Sequence, residues 1–219
     1  KALETSGHLE LVTTAATHAY LPLYTEYPTA INAQIELGVQ SFLTTFGHLP
    51  KGFWLPECGY YPALEENLKY HGISWFQTAS QSMLLSPDKV QYGNYRPVRC
   101  PNGVAAFPRD FQGTSLVWSN TSGYPTDKAY REFYRDIGYD LPMEYIKPYI
   151  HEPSVRVFTG YKYWAITGHT DQKVPYQRSE AQKRVVEHAH NFIYNLKKKG
   201  RQLSSAMGVA PLFTLAYDA

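Results

Sequence analysis

The sequence is poor in cysteine, carries no surplus of charge of either sign and has no long apolar run, and each shortage excludes a class of protein. Two cysteines, Cys58 and Cys100, in 219 residues are too few for a disulfide framework or a thiolate zinc cage, and they fit a reducing, cytoplasmic compartment. The 21 basic and 19 acidic side chains leave a formal charge of +2, so there is neither the polybasic footprint of a nucleic-acid partner nor an acidic tail. No segment approaches the roughly 20 consecutive apolar residues of a membrane helix, and the opening KALETSGHLE lacks the build of a signal peptide. The length corresponds to about one to one and a half domains, enough for a sizeable core. What the chain has in quantity is aromatic surface, with 19 Tyr, 10 Phe and 4 Trp. Such side chains either fill a core or offer flat amphipathic faces to carbohydrate and other ligands that combine apolar and hydroxyl surface. The chain starts inside a strand-like phrase and stops at Leu215-Ala216-Tyr217-Asp218-Ala219, and is expected to be a stretch of something longer.

Periodicity places elements along the first third of the chain. Leu9 to Thr14 reads as a strand. From Thr29, the residues Ile31, Ile35, Val39, Phe42 and Phe46 fall on one helical face that stops at Gly47. Gly52 to Leu55 is a short apolar run ending in Pro56-Glu57, Pro62 to Tyr70 is a second helical stretch closed by Gly72, and Ile73 to Gln77 is again strand-like. This β-α-β-α-β alternation with short connections predicts an α/β fold with a parallel sheet covered by helices. Residues from roughly 80 to 177 are rich in Tyr, Pro, Gly and Asp and read as inserted loops and small elements, with one helix around Asp127 to Asp136. Ala181, Val185, Ala189, Phe192 and Leu196 predict an amphipathic helix ending at Lys197-Lys198-Lys199 and Gly200. Val209 to Tyr217 is a last strand candidate.

In parallel α/β architectures, chemistry sits at the carboxyl ends of strands. Three predicted strand ends carry ionisable groups: His18, Glu57 and Asp218. An acid delivered by an apolar strand to the mouth of the core is poorly placed as surface decoration. Two carboxylates facing one another across a cleft suit glycoside chemistry, one attacking the anomeric carbon and the other, kept protonated, donating to the leaving oxygen. A separation of about 5–5.5 Å implies retention, a wider one inversion. The alternative is that either acid pairs with an arginine such as Arg109 or Arg131.

Four phrases in order, Leu9-Glu10-Leu11-Val12-Thr13-Thr14-Ala15-Ala16-Thr17-His18, Trp54-Leu55-Pro56-Glu57-Cys58-Gly59-Tyr60, Tyr130-Arg131-Glu132-Phe133-Tyr134-Arg135-Asp136-Ile137-Gly138 and Ala216-Tyr217-Asp218-Ala219, resemble glycoside hydrolase family 57, specifically its 1,4-α-glucan branching branch. The resemblance spans the whole chain. It implies an incomplete (β/α)7 barrel of the TIM-like type, of which residues 1–219 would be a part, with the first strand and a C-terminal helical domain outside the chain. It also implies Glu57 as nucleophile, Asp218 as acid/base and His18 near the sugar under attack. The implied reaction is a two-step transfer without metal or cofactor: an α-1,4 linkage opens onto Glu57, and the glucosyl chain passes to a 6-hydroxyl or to water. In the branching enzymes a mobile loop bearing a Tyr over the site is associated with that choice. The corresponding stretch, Pro101 to Ser119, has Phe107, Phe111 and Trp118 and no Tyr.

Further candidates for holding an α-glucan follow from residue type. Trp54, Tyr60, Trp118, Tyr161 and Trp164 are either stacking platforms or core residues, and Tyr60 and Trp118 are favoured for the cleft because they lie just past or between predicted elements. Arg131 and Arg135, four apart on the predicted helix, either clamp sugar hydroxyls or pair with neighbouring acids. Gly160 either lets a glucan approach the backbone or serves a turn. His188 and His190, two apart on a helix, point to different sides and do not chelate one metal. Cys58 reads as packing, since no pattern around it supports an activated thiolate.

Overall fold

The computed structural model describes residues 2–217, so Asp218 lies outside the described residues. Two compact units are present, one made of Lys1–Phe111 with Gln202–Ala219, the other of Gln112–Arg201.

In the first unit, β1 (Thr13–Thr14), β2 (Gly52–Trp54), β3 (Trp75–Thr78), β4 (Val98–Arg99) and β5 (Ala105–Pro108) form one sheet in the order β1-β2-β3-β5-β4. The pairings β1–β2, β2–β3 and β3–β5 are parallel, and only β4 runs antiparallel to its neighbour. Its helices are a short α1 (Ala2–Thr5), α2 (Pro28–Phe46), α3 (Leu64–Tyr70) and a single turn, α4 (Gln81–Leu84). The fold is thus α/β with a parallel-dominated sheet, as the alternation predicts, and of the incomplete barrel type that the resemblance implies. Strand register aligns Thr13, Phe53, Phe76 and Ala106 in one row across the sheet, and Thr14, Trp54, Gln77 and Phe107 in the next. Because successive side chains point to opposite faces, the first row meets α2 and α3 and is buried in a cluster with Ile31, Ile35, Val39, Leu64 and Leu68. The second row is left half-buried, Thr14, Trp54, Gln77 and Phe107 alike.

Helix α2 begins with Pro28 at its first turn, where a missing N–H costs nothing, and ends at Gly47, whose left-handed backbone (φ 81°) lets its N–H reach the Leu43 carbonyl at 2.8 Å. Mid-helix, Gly38 lies against β1: a Cβ there would stand 2.1 Å from the Thr14 carbonyl oxygen, and Thr13 Oγ1 donates to the Gly38 carbonyl at 2.8 Å. Close approach of helix to strand therefore requires glycine.

Several sequence expectations are corrected. The first strand is confined to Thr13–Thr14 rather than running from Leu9, since only that pair is in register with β2, at Phe53 and Trp54. The final strand candidate is reduced to one parallel bridge, Arg109 with Thr214. The stretch 101–119, expected to hold a mobile loop, instead supplies β5 and α5 (Phe111–Trp118).

The second unit contains short α6 (Ile137–Asp140) and α7 (Met143–Ile146) and most of α8 (Arg178–Met207). Helix α8 passes through Gly200 and stops before Gly208, which takes the left-handed conformation (φ 69°). A lone glycine costs only about 1 kcal/mol in a helix interior, so Gly200 does not end it. Of the apolar face predicted for α8, Ala181 is buried and Val185 is exposed. No helix of the described residues is long and apolar enough to cross a membrane.

Substituting Gly38→Ala tests the helix–strand contact. The gain in helix propensity, about 1 kcal/mol, is outweighed by a backbone clash that no side-chain rotation relieves, and a net loss of about 1–3 kcal/mol is expected in the urea midpoint. A stabilised variant would contradict the packing described.

Candidate active site

The run after β2 folds as a 3₁₀ turn over Pro56–Cys58, and Glu57 (φ 54°, ψ 23°) and Cys58 (φ 56°) both take the left-handed conformation. His18, in the turn after β1, does so as well (φ 56°). Three of the four non-glycine residues with positive φ among the described residues thus fall at the ends of the first two strands, the fourth being Ala63. Each such residue costs on the order of 1–3 kcal/mol and persists only where the surroundings over-determine it. Here they do. The Cys58 N–H donates to the Leu55 carbonyl (2.8 Å), the Gly59 N–H to the Pro56 carbonyl (3.0 Å) and Thr78 Oγ1 to the Cys58 carbonyl (3.3 Å). Gly59 is packed so closely on Tyr20 that a Cβ would lie 2.4 Å from its ring. On the other side, Gln34 of α2 holds the His18 turn, its side-chain oxygen accepting the Thr17 N–H at 2.9 Å and its carbonyl the Ala16 N–H at 2.9 Å.

The turn throws adjacent residues in opposite directions. Cys58 is 5% exposed, and burial pushes its thiol pKa up despite the nearby Arg109 guanidinium, so it is a packing residue and not a nucleophile. The Glu57 side chain is 79% exposed, with its Oε1 4.0 Å from His18 Nε2. The structure therefore brings two of the three predicted strand-end groups together. The third, Asp218, lies outside the described residues, and the last described stretch reaches the same region: Arg109 Nη2 donates to the Ala216 carbonyl at 2.6 Å.

Tyr60 follows the same turn. Its ring stacks on Phe76 (centroids 5.5 Å apart, planes at 10°) and its hydroxyl donates to Glu65 Oε2 at 2.7 Å. Burial, then the Glu65 carboxylate, push its phenol pKa up. It lines a cavity of about 580 Å³ bounded also by Met83, Tyr92, Val98 and Cys100.

The remaining predicted residues belong to the second unit. Trp118 ends α5 and is 49% exposed. The helix expected over Asp127–Asp136 does not form. Instead Tyr130 to Glu132 pairs with Trp164 to Ile166 through an antiparallel bridge, Arg131 with Ala165, and Asp136 is extended (φ −139°, ψ 142°) as the N-cap of α6. The reason is the Asp136 carboxylate. Fully buried, it accepts hydrogen bonds from Gly138 N (2.9 Å), Thr159 N (3.0 Å), Thr159 Oγ1 (2.7 Å) and Gly160 N (2.9 Å), an arrangement that no residue in mid-helix can make. Arg131 and Arg135 consequently share no helical face. Arg131 lies over the Tyr176 ring, 4.6 Å from its centroid, and Arg135 is paired with Asp140 at 2.8 Å without pointing its N–H along the contact. Gly160 has open space where a Cβ would be and a φ of 81°, and its N–H donates to Asp136 Oδ2 at 2.9 Å, so its backbone takes part in a turn. His188 is held between the Tyr130 hydroxyl (2.8 Å) and Asp127 (3.6 Å) and stacks on Tyr124. The sequence reading weighed Arg109 only as a counter-ion and passed over Gln34. Their positions one residue past β5 and on the sheet-facing side of α2 are the only signals that mark them.

A parallel α/β sheet that presents an exposed carboxylate beside an imidazole, both on strained turns at strand ends, has the build of a hydrolase or transferase acting at strand carboxyl ends. Residues 1–203 match the model of Glycosyl hydrolase family 57, and the chain belongs to that family. A 1,4-alpha-glucan branching enzyme from Thermococcus kodakarensis is 31% identical over 247 aligned residues, covering 100% of this chain and 34% of the enzyme. The crystal structure of the alpha-amylase AmyC from Thermotoga maritima superposes with a TM-score of 0.90 at 44% identity, covering 100% of this chain and 43% of that one. A family 57 branching enzyme from Pyrococcus horikoshii gives a TM-score of 0.80 at 33% identity, covering 99% and 39%. The chain thus spans about a third of the length of the curated relative.

Asp136 offers a pH test. Burial works to raise its pKa, but the hydrogen bonds from Thr159, Gly138 and Gly160 outweigh it and hold the carboxyl below its ordinary 3.8. Because the folded value is depressed, the stabilisation is complete above the ordinary value and drains away as pH falls through the folded one. Asp136→Asn is expected to cost about 1–3 kcal/mol at neutral pH and to flatten the acid limb of the stability curve measured by urea unfolding. An acid limb identical to that of the parent would contradict the assignment.

Proposed function

We propose that the chain carries the catalytic section of a retaining α-glucan-active enzyme whose activity is 1,4-α-glucan branching. In this reading residues 1–219 are part of the catalytic barrel domain, and the protein acts in the cytoplasm on a polysaccharide of the amylose or glycogen type. The observation that carries it is the Glu57 turn: in a family of glycosyl hydrolases, a carboxylate is held outward by backbone strain beside an imidazole. Glu57 attacks the anomeric carbon, forming a covalent glucosyl chain as the α-1,4 bond breaks, and Asp218 gives its proton to the departing chain end. Asp218 then takes the proton of an acceptor hydroxyl, and Glu57 leaves as the new bond forms. A 6-hydroxyl acceptor gives an α-1,6 branch; water gives hydrolysis. His18, beside Glu57, is placed to hold a hydroxyl of the sugar under attack. Tyr60, Trp118, Arg131, Arg135 and Gly160 remain proposed glucan contacts, although the committed partners of Tyr60, Arg131, Arg135 and Gly160 leave Trp118 the freest of them to stack on a sugar.

A second reading, hydrolysis of α-1,4 linkages, is favoured by one observation: the relative with 44% identity and a TM-score of 0.90 is named an alpha-amylase. Transfer rather than hydrolysis requires that water be excluded and an acceptor held, and the stretch 101–119 contains Phe107, Phe111 and Trp118 and no Tyr.

Incubation of the protein with amylose separates the outcomes. A rise in α-1,6 linkages is expected; a rise in reducing ends alone establishes the amylase reading. Redistributed α-1,4 chain lengths mean 4-α-glucan transfer, and retention on the polymer without change means a binding module. Glu57→Gln should abolish covalent labelling by a retaining-glycosidase inactivator, and labelling at the parental rate would remove Glu57 from its role.

A further inference from the structure

Pairing with β2 fixes β1 only as far as Thr14, whose Oγ1 also donates to the Trp54 carbonyl at 2.9 Å. Ala15 is buried, and from Ala16 to His18 the chain runs exposed. The His18 N–H donates to the Ala15 carbonyl at 2.9 Å, closing a turn in which His18 keeps a left-handed backbone (φ 56°). A non-glycine residue stays in that conformation only where its surroundings hold it. Helix α2 supplies the hold from two positions one helical turn apart. Gly38 seats the strand, its carbonyl accepting from Thr13 Oγ1, and Gln34 seats the turn. The Gln34 backbone carbonyl accepts the Ala16 N–H at 2.9 Å. Its side-chain Oε1 accepts the Thr17 N–H at 2.9 Å and the Thr17 hydroxyl at 3.2 Å, and its Nε2 donates to Thr17 Oγ1 at 3.0 Å. A backbone N–H can only donate, so the amide oxygen must face it, which turns the amide nitrogen to the hydroxyl. One side chain thus engages both the backbone and the side chain of the residue before His18.

We propose that Gln34 is a positioning residue for the glycosyl transfer, its amide holding the Thr17–His18 turn so that the His18 imidazole stays beside Glu57. The inference rests on the reading of Glu57 as nucleophile and of His18 as a contact of the sugar under attack. Gln34 acts through His18: the imidazole, 4.0 Å from Glu57 Oε1, follows the backbone that Thr17 sets. Without the amide, Thr17 loses its N–H acceptor, and the exposed turn can relax toward the right-handed or extended backbone that an L-residue prefers. That rotation carries the imidazole off the sugar. A displacement of about 1 Å can cost on the order of a hundredfold in rate. The remote sugars of the polymer still bind, so the loss falls on turnover.

The test uses the full active chain with Gln34→Met, Gln34→Glu and His18→Ala compared on amylose, with melting temperatures measured alongside. Methionine keeps the length and helix propensity of glutamine and removes both polar atoms. For Gln34→Met, kcat is expected to fall by about 10–100-fold with KM within about twofold of the parent. Gln34→Glu keeps acceptors for the Thr17 N–H and hydroxyl and should retain most of the parental kcat. In a His18→Ala background, Gln34→Met should cost less than about twofold further, because the residue it positions is gone. A parental kcat for Gln34→Met, a loss confined to KM, or an equal loss with and without His18 overturns the proposal. If His18→Ala leaves no measurable rate, the order of the Gln34 variants decides, and glutamate no better than methionine overturns it. Gln34→Ala, which favours the helix, takes the place of methionine if that variant fails to fold. Glu57→Gln reports separately: if it retains turnover, the assignment of the nucleophile falls, and the coupling between Gln34 and His18 still reads on its own.

Discussion

The first unit is organised around one backbone constraint: after β2 the chain turns within three residues, through a left-handed conformation at both Glu57 and Cys58. Such a turn costs free energy that its own hydrogen bonds do not return. It survives because β2 is anchored on both sides by parallel neighbours and beneath by Phe53 and Leu55, both wholly buried. The turn is then clamped by Thr78 from β3 and by the close fit of Gly59 on Tyr20. Core packing and site geometry are therefore the same problem at this point. The strain sends one side chain into solvent and its neighbour into the core, a separation that an unstrained, mobile loop would not hold.

The second unit solves a different problem with a different device. Apart from α8 it has short helices and isolated bridges, and a buried carboxylate takes the place of an extensive apolar core. Asp136 gathers backbone donors from residues 138, 159 and 160, two segments some twenty residues apart in sequence. Arg156 complements it, donating to the Gly138 carbonyl (2.6 Å) and the Leu141 carbonyl (2.9 Å) at the two ends of α6. Charge-assisted hydrogen bonds of this kind are roughly twice as strong as neutral ones, which suits a segment poor in regular structure.

Most of the sheet and its covering helices was legible in the sequence, for a definite reason. Ile31, Ile35, Val39 and Phe42 repeat at helical spacing and are all buried, and the runs into Trp54 and Gln77 carry the aromatic residues that strands favour. That Glu57 and His18 come together was legible because both follow predicted neighbouring strands, and their side chains stand 4.0 Å apart. What could not be read depends on side chains that capture backbone groups from a distance. Asp136 looks like one acid among others in a charged stretch, and only its partners at 159 and 160 show why the helix predicted around it does not form. Gly200 looks like a stop, yet the helix runs on because nothing opposes it. Arg109 looks like a counter-ion, and its reach to Ala216 has no signature in local sequence. Asp218 is recognisable by its phrase and lies outside the described residues.

The alternation of rows across the sheet divides labour between its two sides. The row of Phe53, Phe76 and Ala106 is locked into helix packing, where a change of one methylene is felt, and the row of Trp54, Gln77 and Phe107 is only partly covered. Mutational drift can therefore rework the second row while the first preserves the scaffold.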